Sequence, residues 1–577
     1  MSVTARHAGS IAILMTMIAA MSPSPASAQR PNDARAEAVR AWQDRKFGMF
    51  IHWGLYSLAG GEWNGKRITE GYSEQVQSFA RIPRAEYARL ADRFSATRFD
   101  ADAIARLARD AGMRYIVVTA KHHDGFNMYR TRLSEYNVVD ATPFKRDPVR
   151  LLADAARRQG LGFGVYYSLV DWHYPGADPR LDPLNDNPVP PAHEEFSVRQ
   201  IRELMSGYGP ISEVWFDMSR PTCAQSRRFA DAVHQAQPNA MVSGRVWNGQ
   251  GDFVVTGDNE VPTSGLSQPW QTPASIFPET WGYRSWQQRG NLPGKIREKI
   301  VELVGVVSRG GNYLLNIGPR GDGSVVTYEA DVLRGIGEWL RVNGEAVYGT
   351  GREPFARLEF GHATVRENRL YLFVVQRPAD GVLHLPGLVT GIRRAYRLAD
   401  RARATIPATV GPAGGTISLP GGTASGEVEV IVVELAGRPV VRTRVVTADD
   451  RETIVADSSR ADREWDRGGK GYYDPHTLAE LRWTIEPRST GTYELTLSGT
   501  PPARPTDVEV VVGDWHRATT LPGSRAAPNG GFRMRLDTLR LERGLTYPVA
   551  ARARRADCTR RDLGTSSLEV TFRRLER

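Results

Sequence analysis

Asp217 closes the run Glu213-Val214-Trp215-Phe216-Asp217, where strand-forming apolar residues end in a carboxylate. A carboxylate in that place can act on a substrate, or it can cap a following helix. Other apolar runs end in similar fashion. His52 follows Met49-Phe50-Ile51, and Lys121, His122, His123 and Asp124 follow Ile116-Val117-Val118. Tyr166, Tyr167, Asp171 and Trp172 close a third run, and Arg245 stands at the end of a fourth. Trp53, Trp63, Tyr166, Trp172, Trp215 and Trp281 lie near the same run ends. Aromatic faces pack on the C–H face of a sugar while their polar edges bond hydroxyls. His52, Glu62, His122, His123 and Arg245 add hydroxyl-bonding groups. Stacking faces, hydroxyl-bonding groups and carboxylates together are what glycosidic cleavage requires. Some of these aromatics must also serve plain core packing.

The His122-His123 pair raises a metal reading, which the spacing does not support. Neighbours on a strand point to opposite faces, and two zinc ligands on one strand are more usually spaced His-x-His. No further Cys or His cluster completes a tetrahedral set. The two cysteines, Cys223 and Cys558, fall in different predicted domains. That excludes a disulfide scaffold and a Cys-based metal site. No metal is expected. Ser308-Arg309-Gly310-Gly311-Asn312 is glycine-rich but lacks the P-loop lysine and serine pattern. Arg320-Gly321-Asp322 reads as a turn after a strand.

The elements that must hold these groups alternate from about residue 40 to 345. Ile104, Leu107, Ala108 and Ala111 recur at helical spacing, and Gly112 stops that helix. Arg114 to Thr119 then reads as a buried strand. Asp147-Pro148 is a helix start, with an N-cap and a proline at the first helical position. Gly162 to Leu169 is the next strand, Phe196 to Gly207 the next helix, and Glu213 to Asp217 a strand again. Ala240 to Val246 and Tyr313 to Ile317 look like further strands. Strand and helix in alternation predict an α/β fold with parallel strands. Polar groups at the carboxyl ends of several strands favour a (β/α)8-like TIM barrel. A doubly wound sheet would concentrate its chemistry at a glycine-rich first turn, which is absent.

Helical periodicity ends near residue 346. Leu370 to Val375 and Val428 to Val433 are strand-like, with Gly- and Pro-rich turns between them. The expected organisation is a barrel over 29–345, a β-sandwich over 346–436 and a second β-rich module over 437–577. Trp465, Tyr472, Tyr473 and Trp515 make that last module a candidate for carbohydrate binding.

A chain of 577 residues needs more than one core. It is 41% hydrophobic and 24% charged, which is ordinary for a globular protein. The formal net charge of +10 comes mostly from arginines spread along the chain among Asp and Glu. Dispersed charge makes no stripe for phosphates, so nucleic acid is not an expected partner. Arg6 and His7, the apolar run Ile11 to Ala20 and Ala26-Ser27-Ala28 spell a secretory signal peptide over 1–28. The protein is therefore expected outside the cytoplasm, periplasmic or extracellular, and no later segment is apolar enough to span a membrane.

Six motifs, in order, resemble the α-L-fucosidases of glycoside hydrolase family 29. They are Lys46 to Gly54 (KFGMFIHWG), Gly61-Glu62-Trp63, Thr119 to Phe126 (TAKHHDGF), Val165 to Ser168 (VYYS), Val214 to Asp217 (VWFD) and Gly311 to Pro319 (GNYLLNIGP). The resemblance covers about residues 40 to 345, and a family-like β-sandwich continues to about 436. It implies a retaining exo-α-L-fucosidase that needs no cofactor and acts on fucosylated oligosaccharides or glycoconjugates. Asp217 matches the family's nucleophile. His52, Glu62, Trp63, His122, His123, Tyr166, Trp215 and Arg245 match positions that line the fucose pocket. The acid/base slot departs from the family pattern. One common slot reads Thr256-Gly257-Asp258 here, with Glu260 two residues on; the other reads Trp270-Gln271. Glutamine cannot donate and retrieve a proton. Asp258 and Glu260 are the acid/base candidates, with Glu279 third. The departures motivate an alternative, a catalytically impaired fucose- or glycan-binding protein on a barrel scaffold. The His pair motivates another, a metal-dependent barrel hydrolase.

Expression in a host that processes such leaders, followed by N-terminal sequencing, should find a mature chain starting near Gln29. A mature chain still carrying Ile11 to Ala20 would contradict the leader.

Overall fold

The computed structural model describes residues 31–177, 189–262, 265–266, 268–355, 357–421, 426–442, 445–449, 451–466, 477–527, 530–554 and 561–575. Eight parallel strands form one sheet. They are β1 (Phe47–Ile51), β2 (Tyr115–Lys121), β3 (Gly162–Ser168), β4 (Glu213–Asp217), β5 (Met241–Val242), β6 (Val254–Val255), β7 (Trp270–Ser275) and β8 (Asn312–Ile317). Their spatial order is β5-β4-β3-β2-β1-β8-β7-β6. A parallel bridge from Ser243 to Phe253 joins the two ends of the sheet. The chain thus has a TIM-barrel-like fold followed by several β-sheets.

β1, β2 and β4 are buried along their whole length, because helices cover the outside and side chains fill the inside. The period of two sorts the residues. Met49 and Ile51 of β1, Val118 of β2, and Val214 and Phe216 of β4 join the outer core beneath the helices. Phe50, Tyr115, Val117, Tyr166 and Trp215 form a second cluster inside the barrel. Glu213, Trp215 and Asp217 therefore share the inward face of β4, from the floor to the catalytic rim.

The helices α1 (Pro31–Gln43), α2 (Ala101–Asp110), α3 (Pro148–Arg158), α4 (Pro191–Gly207), α5 (Cys223–Ala236), α6 (Leu292–Ser308) and α7 (Thr327–Asn343) follow local rules. Asp100 caps α2 through the Ala103 N–H, and Asp147 caps α3 through the Arg150 N–H. Thr222 and Gln225 make a capping box on α5. α1 closes the barrel floor. Trp42 stacks on Phe253 at 4.4 Å, and its backbone carbonyl accepts from Asn312 Nδ2 at 2.8 Å.

Two expectations need correction. The strand expected over Ala240 to Val246 is only two residues long. Gly244 to Val246 form a 3-10 turn, closed by Val246 N–H to the Ser243 carbonyl and Trp247 N–H to the Gly244 carbonyl. Gly244 weakens extended structure, and the chain must turn across the barrel mouth there. The His pair also does not alternate across a strand. β2 ends at Lys121, so His122 and His123 lie in the loop beyond it, with ring centroids 3.9 Å apart.

After the barrel, a four-stranded sheet (order Gly361–Arg366, Arg369–Val374, Glu429–Leu435, Ile392–Arg397) and a three-stranded sheet enclose a core of their own. Leu370, Leu372, Ile431 and Val433 face that core, whereas Tyr371, Phe373, Val430 and Val432 pack with the barrel helices. Burial on both faces explains the unbroken apolar runs in these strands. Residues 445 to 574 supply two further sheets around a separate core. Trp515 packs against that core and donates to Asp537 Oδ2 at 3.2 Å. Tyr472 and Tyr473 lie outside the described residues, as does the side chain of Trp465. Among the described residues, no helix is long and apolar enough to cross a membrane.

Gly48 of β1 faces the ring of Tyr115, and a Cβ there would lie inside the ring's van der Waals radius. Gly48→Ala is expected to lower stability by about 1–3 kcal/mol through overpacking. Urea denaturation checks this, and unchanged stability would show that the barrel floor is loosely packed.

Candidate active site

The carboxyl ends of the barrel strands converge on one pocket. β1 contributes Phe50 and, just past its end, His52. The loop after β2 brings His122 and His123, β3 brings Tyr166, and β4 brings Trp215 and Asp217, with Met218 just beyond. Arg245 arrives on the 3-10 turn after β5, Asp258 on the loop after β6, and Trp281 on the loop after β7. Tyr72, Glu74 and Gln75 complete the wall from the segment between β1 and α2.

Asp217 is gripped through both oxygens. Oδ2 accepts from the Tyr166 hydroxyl at 2.8 Å, and Oδ1 accepts from Arg245 Nη1 at 2.9 Å. His123 Nε2 lies 3.9 Å from Oδ2. Burial alone would raise this carboxyl. Arg245, His123 and the Tyr166 hydroxyl outweigh burial and hold it below the ordinary aspartate value. Asp217 is thus a carboxylate at neutral pH. The two residues after it, Met218 and Ser219, have φ of +63° and +65°, a left-handed turn that costs non-glycine residues energy.

Arg245 is shared. Its Nη2 binds Asp258 Oδ1 while Nη1 holds Asp217. Burial works against its charge, but the two carboxylates more than compensate, so it stays cationic. The guanidinium lies 4.8 Å from the centroid of Trp215.

Two histidines of the wall, His52 and His122, are uncharged. His52 Nδ1 donates to Asn316 Oδ1 at 2.8 Å, because Asn316 Nδ2 is committed to the Trp281 carbonyl at 2.7 Å. Burial lowers His52 to about 4, so it is neutral at pH 7. His122 is also held neutral, chiefly by burial, and its ring stacks on Tyr166 at 5.4 Å. His122 Nδ1 is buried without a hydrogen-bond partner. Neutral imidazoles suit hydroxyl groups, and a bound hydroxyl is the kind of partner that buried nitrogen lacks. Among the described residues, no group of three or more His, Cys, Asp or Glu is placed to hold a metal ion.

The pocket gathers His52, His122, His123, Tyr166, Trp215, Asp217, Arg245 and Asp258, all singled out from sequence. It does not gather Glu62, Trp63, Glu260 or Glu279. Glu62 and Trp63 form a two-stranded hairpin with Lys66–Arg67, and Glu62 Oε1 accepts from Ser285 Oγ at 2.9 Å, outside the pocket wall. The tight turn at Asn64-Gly65 directs the pair into that hairpin instead. Glu260 also lies outside the wall, with its carbonyl bound by Thr256 Oγ1 and Thr272 Oγ1. Glu279 is exposed. Gln271 is buried in the barrel interior.

A family model described as alpha-L-fucosidase matches residues 14–345. Human tissue alpha-L-fucosidase is 30% identical over 67% of this chain and 87% of its own length. The chain belongs to the α-L-fucosidase family. Among solved structures, the alpha-L-fucosidase of Vibrio sp. strain EJY3 aligns over 92% of this chain and 97% of its own, with a TM-score of 0.64 and 28% identity. The family 29 alpha-L-fucosidase of Bacteroides thetaiotaomicron, trapped as a covalent intermediate with 2-fluoro-fucosyl fluoride, aligns over 70% of this chain and 96% of its own, with a TM-score of 0.62 and 26% identity. This chain is therefore a glycoside hydrolase of that family by fold and sequence.

Sequence reasoning missed Tyr72, Glu74 and Gln75. They follow Gly71 in a segment with neither strand nor helix period, so no local pattern marks them. Glu74 Oε2 accepts from the backbone N–H of Trp281 at 3.1 Å and of Gly282 at 2.7 Å. Burial nevertheless raises it from 4.5 to about 7.

A carboxyl raised on folding favours its protonated form. Its contribution to stability is fullest below the ordinary value and declines as pH rises towards 7. Glu74→Gln keeps an oxygen acceptor and cannot ionise. Relative to wild type, it should gain up to about 3 kcal/mol as pH rises from about 4.5 to beyond 7. Urea melts of both proteins at the two ends of that window test this; a pH-independent difference would show that Glu74 does not titrate there.

Proposed function

We propose that this protein is an exported, retaining exo-α-L-fucosidase that removes terminal α-L-fucosyl residues from oligosaccharides or glycoconjugates. One observation carries the reading: Asp217, ionised and fixed at the barrel mouth, shares Arg245 with a second carboxylate, Asp258. A guanidinium presents its two Nη groups side by side, so carboxylates bound to both are close neighbours. A retaining pair stands about 5–5.5 Å apart. The Bacteroides relative trapped as a covalent intermediate supports the same reaction course here.

In this reading Asp217 attacks the anomeric carbon and the aglycone leaves as its oxygen gains a proton. In the form of the enzyme that reacts, Asp258 carries a proton and gives it to that oxygen; the carboxylate left behind then takes one from the attacking water. Asp258 is preferred to Glu74 because its side chain is 25% exposed at the pocket mouth, where aglycone and water must pass. Glu74 is sealed at 2%. Tyr166 and Arg245 keep Asp217 charged and aimed. His52, His122, His123 and Trp215 receive the fucose ring and its hydroxyls.

Asp217→Ala should lower turnover of an aryl α-L-fucoside by about 1000-fold or more. Azide should partly restore it, giving the β-fucosyl azide, because azide takes the nucleophile's face of the sugar. Asp258→Ala with azide should instead give the α-fucosyl azide, formed from the fucosyl-enzyme. Wild-type turnover by Asp217→Ala would sink the assignment. An α-azide from Glu74→Ala or Glu260→Ala, and not from Asp258→Ala, would move the acid/base role.

A further inference from the structure

We propose that Gln271 and Glu213, buried in the barrel beneath the pocket, are positioning residues that hold Trp215 and, through it, set the geometry of Asp217. This rests on the reading of Asp217 as the nucleophile.

Both side chains are fully buried, and each bond between them is defined. Gln271 Oε1 accepts from Trp215 Nε1 at 2.9 Å. Gln271 Nε2 donates to Glu213 Oε1 at 3.1 Å and to the Tyr115 hydroxyl at 3.0 Å. Glu213 Oε2 accepts from Trp42 Nε1 at 2.5 Å, which ties the set to α1 on the barrel floor. An indole can only donate and a carboxylate can only accept. A group joining them must accept on one side and donate on the other. An amide does both, which gives a physical reason for glutamine at 271. An ionised carboxylate there would face Glu213 with no proton between them.

Trp215 passes the constraint upward. Its ring stacks on Tyr166, with centroids 5.6 Å apart and planes 17° from parallel, and its face carries the Arg245 guanidinium. Tyr166 and Arg245 are the two groups that grip Asp217, one on each oxygen. A tilt of the indole would displace both. The hydrogen bonds of the network reach the pocket wall at Trp215, beneath the groups that grip Asp217, so its effect should fall on turnover more than on binding.

Two variants test this, with kcat and KM for an aryl α-L-fucoside normalised to folded protein. Gln271→Leu removes both bonds at similar volume. It should lower kcat by about 10- to 100-fold with KM within about threefold, because small misplacements near reacting atoms cost rate. Gln271→Glu keeps the shape and also serves if the leucine variant does not fold. Its carboxyl would share a proton with that of Glu213, and a shared proton can keep the bonds whereas two ionised groups cannot. The other groups facing this spot are Tyr115, which burial keeps protonated, and Arg45, whose charge favours ionisation of Glu213. The kcat of Gln271→Glu, taken as a ratio to wild type, should therefore approach one at acid pH and fall as pH rises. Variants that lose thermal stability but keep wild-type kcat, with a pH-flat ratio, would overturn the proposal and leave only a structural role. If Asp217→Ala is itself active, the nucleophile reading fails instead. An inactive Asp217→Ala beside fully active Gln271 variants isolates the failure to this network.

Discussion

A single buried guanidinium holds the candidate site together. Arg245 is removed from water, which is costly for a cation unless anions replace the lost hydration. Asp217 and Asp258 are those anions. The dependence is mutual. Without Arg245, burial would push the Asp217 carboxyl towards its neutral form, and a neutral carboxyl is a poor nucleophile. The three charges come from three successive strand ends, so none of them is correctly placed until the barrel has closed there. The shortest strands of the barrel, β5 and β6, lie at that closure, joined by the bridge from Ser243 to Phe253.

The barrel divides its labour by height. At the floor, α1 inserts Trp42 and the inward side chains are Tyr115, Glu213 and Gln271. At the rim stand Tyr166, Asp217, Arg245 and the histidines. Trp215 lies between and belongs to both levels. Burial disfavours the charged form at both ends. At the floor it raises Glu213 to about 7, softened by bonds from Trp42 and Gln271. At the rim it strips charge from His52 and His122 and leaves neutral donors and acceptors suited to hydroxyls. Arg245 and Asp217, side by side at the rim, keep their charges.

The first β-module is part of the barrel's packing. Tyr371 and Phe373 from one strand, and Val430 and Val432 from its neighbour, enter the same core as the barrel helices. Trp339 of α7 donates to the Val428 carbonyl at 2.8 Å. The last β-module has its own core, and none of its described residues lines the pocket. Glycan binding by that last module remains a proposal, carried among the described side chains by Trp515 alone.

Most barrel strands, though not β6 and β7, and the carboxyl-end position of Asp217, His52 and Tyr166 were legible in the sequence, because buried strands and their polar ends are local patterns. The motifs that resemble family 29 were legible for the same reason. The pocket's membership was decided only in three dimensions. Glu62 and Trp63 read like site residues and stand on a local hairpin that does not form part of the pocket wall, while Glu74 gives no periodic signal and is carried in by the chain's path. Arg245 was placed on a strand by its apolar neighbours, yet a turn aims it. Gln271 could be excluded as an acid from its chemistry alone. That its amide lies between an indole and a carboxylate depends on strands 58 residues apart in sequence lying across one barrel interior, and distance in sequence carries no record of that approach.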